Sequence, residues 1–166
     1  TAPETAGADT VAEETELTRE NTPDNLPADL RFNGETVVFH VRGDENCIKE
    51  FQIEELTGEI INDAIYQRNR MVEERFDIKM KLITSASRIS DMNNAVLAGD
   101  DAYDIVLDTS VNIAPAISNR YVHSINDLQY IDVDKSWWNT ALINDSAING
   151  NPYFLMGDIS YSWRDA

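Results

Sequence analysis

The pattern of apolar and polar positions along the chain predicts three β-strands. The segment 36–42 (TVVFHVR) is rich in β-branched and aromatic residues and predicts the first strand. In 78–83 (IKMKLI) apolar residues alternate with Lys79 and Lys81, which predicts a strand at a sheet edge with one solvated face. The nearly continuous apolar run 103–107 (YDIVL) is typical of a central parallel strand that is covered on both faces.

Helical spacing of apolar residues separates these strands. It predicts a helix over 62–76, with Asn62 or Asp63 capping its start, and a shorter helix around 89–97. The order strand, helix, strand, helix, strand indicates right-handed βαβ units, and hence a doubly wound, mainly parallel α/β sheet flanked by helices. The first strand is then expected to lie between the second and the third.

Three further signals predict local structure downstream. Asn112 is expected to cap a short helix whose first turn contains Pro115, and another helix is expected to start at Asp134. Asn149-Gly150 stands between two apolar runs and predicts a β-hairpin turn, because both residues of that turn need a positive φ.

The formal charge changes the picture of partners and of domain organisation. The chain has 166 residues and a net charge of -17, which disfavours nucleic acids and anionic membranes because it repels both. Residues 1–29 hold eight acidic side chains, one basic side chain and no aromatic residue. We therefore expect a disordered acidic tether over 1–29, followed by an α/β lobe over 30–166.

The sequence has no motif for metal, cofactor or covalent chemistry. Cys47 is the only cysteine, which excludes an intrachain disulfide, and His40 and His123 do not have the spacing of a zinc site. No glycine-rich phosphate loop and no GxSxG nucleophile motif occur. We expect no catalytic residues, no cofactor and no metal, so a binding protein is favoured over an enzyme.

The winding of the predicted sheet reverses between its first and third strands, and open α/β sheets bind ligands beyond the carboxyl ends of the strands at such a point. The candidate ligand-binding residues are therefore those that follow these two strands: Arg42, Gly43 and Asp44, and Asp108, Thr109 and Ser110. Polar residues at strand ends also occur in ordinary solvated loops, so a purely structural role for Arg42 and Asp44 stays open.

Five aromatic residues in the last third of the chain have two alternative roles. They could provide stacking surfaces for a sugar ring, or they could pack in the core or in an interface. They are Trp137, Trp138, Tyr153, Phe154 and Trp163.

An ordered series of motifs over about residues 34–163 resembles extracellular solute-binding proteins of Firmicutes-type bacterial ABC importers. The motifs are VRGD, NDAIYQRNRMVEERF, YDIVLDT, YVHSINDL, WWN and INGNPYFLMGDIS. The resemblance implies two α/β lobes joined by a hinge, which close on a small extracellular solute and deliver it to an ABC permease. Such proteins commonly carry carbohydrates, so a sugar is the first expectation for the solute.

The same resemblance implies a cellular location and further contacts. Asp158 and Ser160 match a stretch near the crossover to the second lobe that contacts the ligand. Members are usually cell-surface lipoproteins, and residues 1–29 fit the spacer that follows an acylated cysteine. We expect the chain to be an N-terminal lobe without its partner lobe, with weak or no solute binding in isolation and an unfinished sheet edge that could pair with a second copy.

Two other functions stay open. A surface adhesion or interaction domain would share the acidic tether, although it has no need of polar residues at two adjacent strand ends. A hydrolase on a flavodoxin-like sheet needs a strained nucleophile or a phosphate-binding glycine turn after the first strand, and VRGDENC has neither in clear form.

Overall fold

The computed structural model describes Thr18 and residues 21–158. The elements in chain order are β1 (Glu35–Arg42), α1 (Glu45–Lys49), α2 (Ile60–Phe76), β2 (Ile78–Ser85), α3 (Arg88–Ala98), β3 (Ile105–Val106), α4 (Ser110–Ser118), a 3-10 turn (Ile125–Asp127) and α5 (Thr140–Asp145). Within this described part no helix combines the length and the apolar character needed to cross a membrane. Most of the predicted tether, residues 1–17, 19 and 20, lies outside the described residues, as do residues 159–166.

The sheet is an open, parallel, three-stranded sheet with the order β2-β1-β3. β1 pairs with β2 along its whole length, from Glu35 opposite Ile78 to Arg42 opposite Ser85. β1 pairs with β3 only at Phe39 and His40. The prediction that the first strand lies in the middle is confirmed, and so is the α/β class with helices beside a parallel sheet. All three strands therefore end at the same edge of the sheet.

Side chains of β1 alternate between two buried clusters, as the period of two requires. On one face Phe39 and Val41 pack with Phe51 from the segment after α1, and Met80 and Leu82 of β2 join them. On the other face lies His40, which is fully buried and belongs to the side where α3 contacts β1. A second cluster, formed by Met92 of α3 and by Ile113 and Ala116 of α4, packs against Val106. The sheet is therefore covered on both faces at its centre.

The capping of α2 differs from the prediction. The N-cap is Glu59, whose side chain accepts a hydrogen bond from the Asn62 backbone N–H at 2.9 Å. Asp63 instead accepts a hydrogen bond from the Thr57 backbone N–H at 2.8 Å, and Thr57 precedes the helix. The prediction of Asn62 or Asp63 as the cap is thus wrong, because the helix starts two residues earlier at Ile60.

β3 is shorter than the predicted strand over 103–107. The Asp104 side chain accepts the Val38 backbone N–H at 2.7 Å, in the place of a backbone carbonyl, so regular pairing begins only at Ile105. The prediction that this strand is covered on both faces is also wrong, since Ile105 is 40% exposed.

Downstream of β3 one prediction is confirmed and two are wrong. Asn149 and Gly150 have φ values of 52° and 77° and are flanked by an antiparallel bridge, which confirms the predicted turn. The cap of α4 is Thr109 and not Asn112, and it places Pro115 in the middle of this helix. Residues 133–137 form turns and not a helix starting at Asp134.

The segment 23–26 is fastened to the last turn of α2 and to the loop 132–135. Asp24 accepts two hydrogen bonds from Arg75, at 2.6 and 3.0 Å, near the end of α2. Asn25 donates to the Asp132 carboxylate at 3.2 Å, and the Lys135 ammonium donates to the Pro23 carbonyl at 3.1 Å. These contacts extend the ordered body upstream of Leu30.

Two isoleucines of α2 test the assignment of its buried face. Ile65 is 5% exposed and Ile60 is 86% exposed. We expect Ile65→Ala to lower the free energy of unfolding by about 2–5 kcal/mol, because it leaves a cavity against the core. The matched control Ile60→Ala should change it by less than about 0.5 kcal/mol. Urea denaturation of the two variants measures this, and equal losses in both would contradict the assigned face.

Candidate functional site

The carboxyl edge of the sheet holds an open cavity of about 520 Å³. We call its lining the polar corner; the six residues that form it are Arg42, Gly43, Asp44, Ala86, Arg88 and Asn112. They come from the ends of β1 and β2 and from the first turns of α3 and α4. The corner thus lies at the carboxyl edge of the sheet, next to the reversal of winding between β1 and β3, and Asn112 is its one lining residue that follows β3.

The predicted site residues that follow β1 and β3 divide into three groups. Arg42, Gly43 and Asp44 line the cavity, whereas Asp108 lies behind the lining and binds two residues of it. Thr109 and Ser110 are exposed at the start of α4 but do not line the cavity.

The two predicted crossover residues are not in the corner. Asp158 is exposed, and its backbone N–H donates to the Trp137 carbonyl at 3.0 Å. It does not line the cavity. Ser160 lies outside the described residues.

Arg42 and Asp44 form an ion pair at the mouth of the polar corner. The Arg42 Nε lies 2.5 Å from Asp44 Oδ2, and the two side chains are 49% and 38% exposed. The other carboxylate oxygen caps α1 by accepting the Cys47 backbone N–H at 3.1 Å. The hydrogen bond from Arg42, with that from Cys47, holds the pKa of Asp44 far below its ordinary value. An exposed pair of this kind contributes little to stability, so both groups can exchange partners with a ligand.

Arg88 is the central structural group of the site, and it is 5% exposed. Its Nε donates to the Leu107 carbonyl at 3.1 Å, and its Nη1 donates to the Ser85 carbonyl at 3.0 Å. Its Nη2 lies 2.8 Å from Asp108 Oδ1. Because β1 lies between β2 and β3, this guanidinium joins the ends of the two outer strands across the end of the central one. We call this set of contacts the Arg88 clamp.

Asp108 is the anionic partner within the clamp, and its side chain is 2% exposed. Burial raises the pKa of Asp108, but hydrogen bonds from Arg88, Asn112 and the Thr109 backbone N–H outweigh this and lower it below its ordinary value. The Asn112 and Thr109 bonds measure 2.8 and 2.7 Å. Asp108 is therefore ionised at neutral pH and holds lining residues in place.

Sequence reasoning missed Arg88, Asn112 and Ala86, because it considered only the ends of the first and third strands. One signal could have identified Arg88. An arginine in the first turn of a helix opposes the helix dipole, so it needs a compensating anion or carbonyl group nearby. Asn112 was assigned to a helix cap, and Ala86 has no distinguishing chemistry.

A second cavity, of about 220 Å³, lies between segment 23–26 and residues 130–138. Its aromatic lining is formed by Tyr130, Trp137 and Trp138. Its polar lining groups are already paired with protein groups, through the contacts that fasten segment 23–26. We therefore assign the partly buried Trp137 and Trp138 to packing, whereas Tyr130 is exposed.

The other aromatic candidates and the acidic residues give no second site. Phe154 packs against the cluster of α3 and α4, and Trp163 lies outside the described residues. Across Thr18 and 21–158, no group of three or more histidine, cysteine or acidic side chains is arranged to hold a metal ion.

Comparisons with known proteins identify no relative: no protein-family model matches the chain, and no curated protein matches it. The functional interpretation therefore depends on the fold and on the polar corner.

Removal of the arginine tests the Arg88 clamp. We expect Arg88→Met to lower the free energy of unfolding by about 3–5 kcal/mol, because it leaves Asp108 as a buried, uncompensated charge. The control Arg42→Met removes an exposed pair and should cost less than about 1 kcal/mol.

A double variant separates the effect of the uncompensated Asp108 charge from the effect of the lost packing of the Arg88 side chain. Arg88→Met combined with Asp108→Asn should recover part of the stability that Arg88→Met loses, because the carboxylate charge is gone. Chemical denaturation of the parent, Arg88→Met, Asp108→Asn and the double variant gives the coupling energy. Losses that simply add would show that the two side chains do not act as a pair.

Proposed function

We propose that this chain is a solute-capturing lobe and not an enzyme. In this proposal the polar corner is one wall of a cleft, a second α/β lobe supplies the opposite wall, and closure of the two lobes traps a small polar solute. The lobe would be of the periplasmic-binding-protein type, held outside the cell by a lipid anchor and serving an ABC permease. The observation that carries the proposal is the open cavity at the carboxyl edge of the sheet, next to the reversal of winding between β1 and β3.

The charge balance of the corner supports a neutral solute. Arg42 is paired with Asp44, and Arg88 is paired with Asp108, so two cations face two anions. The surrounding chain carries a net charge of -17, which repels anionic solutes. A carbohydrate is uncharged and rich in hydroxyl groups, and it fits this balance better than an organic acid or a phosphate ester.

The hydrogen-bonding groups of the corner support selectivity for hydroxyl groups. Arg42 offers donors at the mouth, and Asp44 offers a carboxylate next to it. A hydroxyl group both donates and accepts, so it can bind such a pair without leaving either member unpaired. An analogue that lacks the hydroxyl would leave buried polar groups unsatisfied after closure, which is how such sites discriminate between ligands.

The binding test uses the two-lobe protein that the proposal requires and a panel of neutral sugars, amino acids and organic acids. We expect at least one sugar to bind and to raise the melting temperature, with a weaker effect or none from the charged solutes. Calorimetry then gives the affinity. A gene product without a second α/β lobe after these residues contradicts the proposal, and so does a panel in which charged solutes alone bind.

An arginine variant tests the part that the corner plays in binding. Arg42→Ala should weaken sugar binding about ten- to a hundredfold, the value of one hydrogen bond to a charged group. The matched control is Arg70→Ala on α2, which removes an exposed arginine that is paired with Glu73, away from the corner. Both variants should keep the parental stability, and equal affinity in the two would exclude the corner from the binding site.

A further inference from the structure

His40 is a buried polar group that packing does not explain. It lies on the central strand β1, two residues before Arg42, and is 0% exposed. Neither Nδ1 nor Nε2 has a hydrogen-bond partner within the described part of the chain. Its ring stacks on Tyr103 with the centroids 4.3 Å apart and the planes at 12°. An apolar side chain would fill this place without burying unpaired nitrogens, so a histidine here lowers the free energy of unfolding.

The charged groups that act on His40 are Asp91 and the two charged members of the Arg88 clamp. From α3, Asp91 places Oδ2 at 3.7 Å from the His40 Nε2, and Arg88 lies on the same helix. Asp108 is the second residue after β3, and the stacking Tyr103 precedes that strand. α4 has no titratable side chain. The Arg88 clamp therefore lies close enough for the charges of Arg88 and Asp108 to act on the imidazole.

The balance of these surroundings keeps the ring neutral near pH 7. Burial lowers the pKa of His40 below its ordinary value of 6.5, and the charge of Arg88 adds to this, whereas Asp91 and Asp108 act in the opposite direction. A proton that reaches the ring creates a second buried cation beside Arg88. The two cations then repel each other and compete for Asp108.

We propose that His40 is a proton sensor of the polar corner: in acid, its imidazolium attracts the carboxylates of Asp91 and Asp108, repels Arg88 and loosens the Arg88 clamp. Under the proposed function, acidification would also release the solute. Only this consequence rests on the proposed function. The loosening of the clamp is a property of the chain itself and does not depend on any ligand.

The first test measures stability against pH in the chain and in two histidine variants. Since the pKa of His40 is lower in the folded state, the unfolded chain takes up the proton first. The stabilisation from neutral His40 is complete above about pH 6.5 and is lost as the pH falls below it. Relative to His40→Leu, the folding equilibrium constant of the parent should fall by up to about tenfold per pH unit in this range.

The control is His123→Leu, which removes an exposed histidine but keeps His40, so it should retain the acid-induced loss of stability that His40→Leu lacks. If His40→Leu does not fold, His40→Gln serves as the second non-titrating variant. Identical pH curves for the parent and the His40 variant would overturn the inference.

The second test distinguishes a sensor from a merely buried histidine. In an NMR titration the His40 ring should take up its proton below its ordinary pKa of 6.5. The Arg88 side-chain Nε–H signal should lose its protection from solvent exchange in step with His40. In the non-titrating variant that signal should stay protected at the same pH. An Arg88 signal that is unchanged while His40 titrates would refute the coupling, whether or not any solute binds to the protein.

Discussion

The buried guanidinium of Arg88 sets the geometry of the carboxyl edge of the sheet. A buried cation is tolerated only when hydrogen-bond acceptors and an anion surround it, and Arg88 finds these in the Ser85 and Leu107 carbonyls and in Asp108. Those acceptors come from the ends of β2 and β3, which do not touch each other because β1 lies between them. Arg88 can therefore be satisfied only when the sheet is correctly assembled, and formation of the corner and assembly of the sheet are coupled.

The polar corner contains one buried ion pair that supports the structure and one exposed ion pair that is available to bind a ligand. The Arg88–Asp108 pair is almost completely buried, so it is costly to break and holds the wall rigid. The Arg42–Asp44 pair is about half exposed, so breaking it costs little and its members can bind another partner. His40 lies on the same face of β1 as Arg42 and near the deeper pair. A proton on its ring would therefore act on the structural pair before it affects the exposed one.

The sequence predicted those parts of the fold that depend on local patterns. The β1 and β2 segments, the position of β1 in the middle of the sheet and the Asn149-Gly150 turn follow from periodicity and turn chemistry. The errors come from side chains that replace backbone groups or bind across the fold. Asp104 shortens β3 by accepting a ladder N–H, and Asp108 was expected to face a ligand but binds a buried arginine instead. Val38 is far from Asp104 in the sequence, and Arg88 is far from Asp108, so no local pattern predicts either of these pairings.

The two outer strands of the sheet, β2 and β3, are not equivalent, and they differ in how readily a further strand can pair with them. β2 presents Lys79 and Lys81 to solvent, and its outer Met80 N–H is occupied by the Glu73 carboxylate at 2.8 Å, which discourages further pairing. β3 has no lysine and exposes Ile105 instead. A further strand, from elsewhere in the protein or from a second copy, would therefore join at β3. Such a strand would lie beside the end of β3 that leads into Asp108, and it would extend the wall next to the polar corner without obstructing the cavity, which lies on the β1–β2 side.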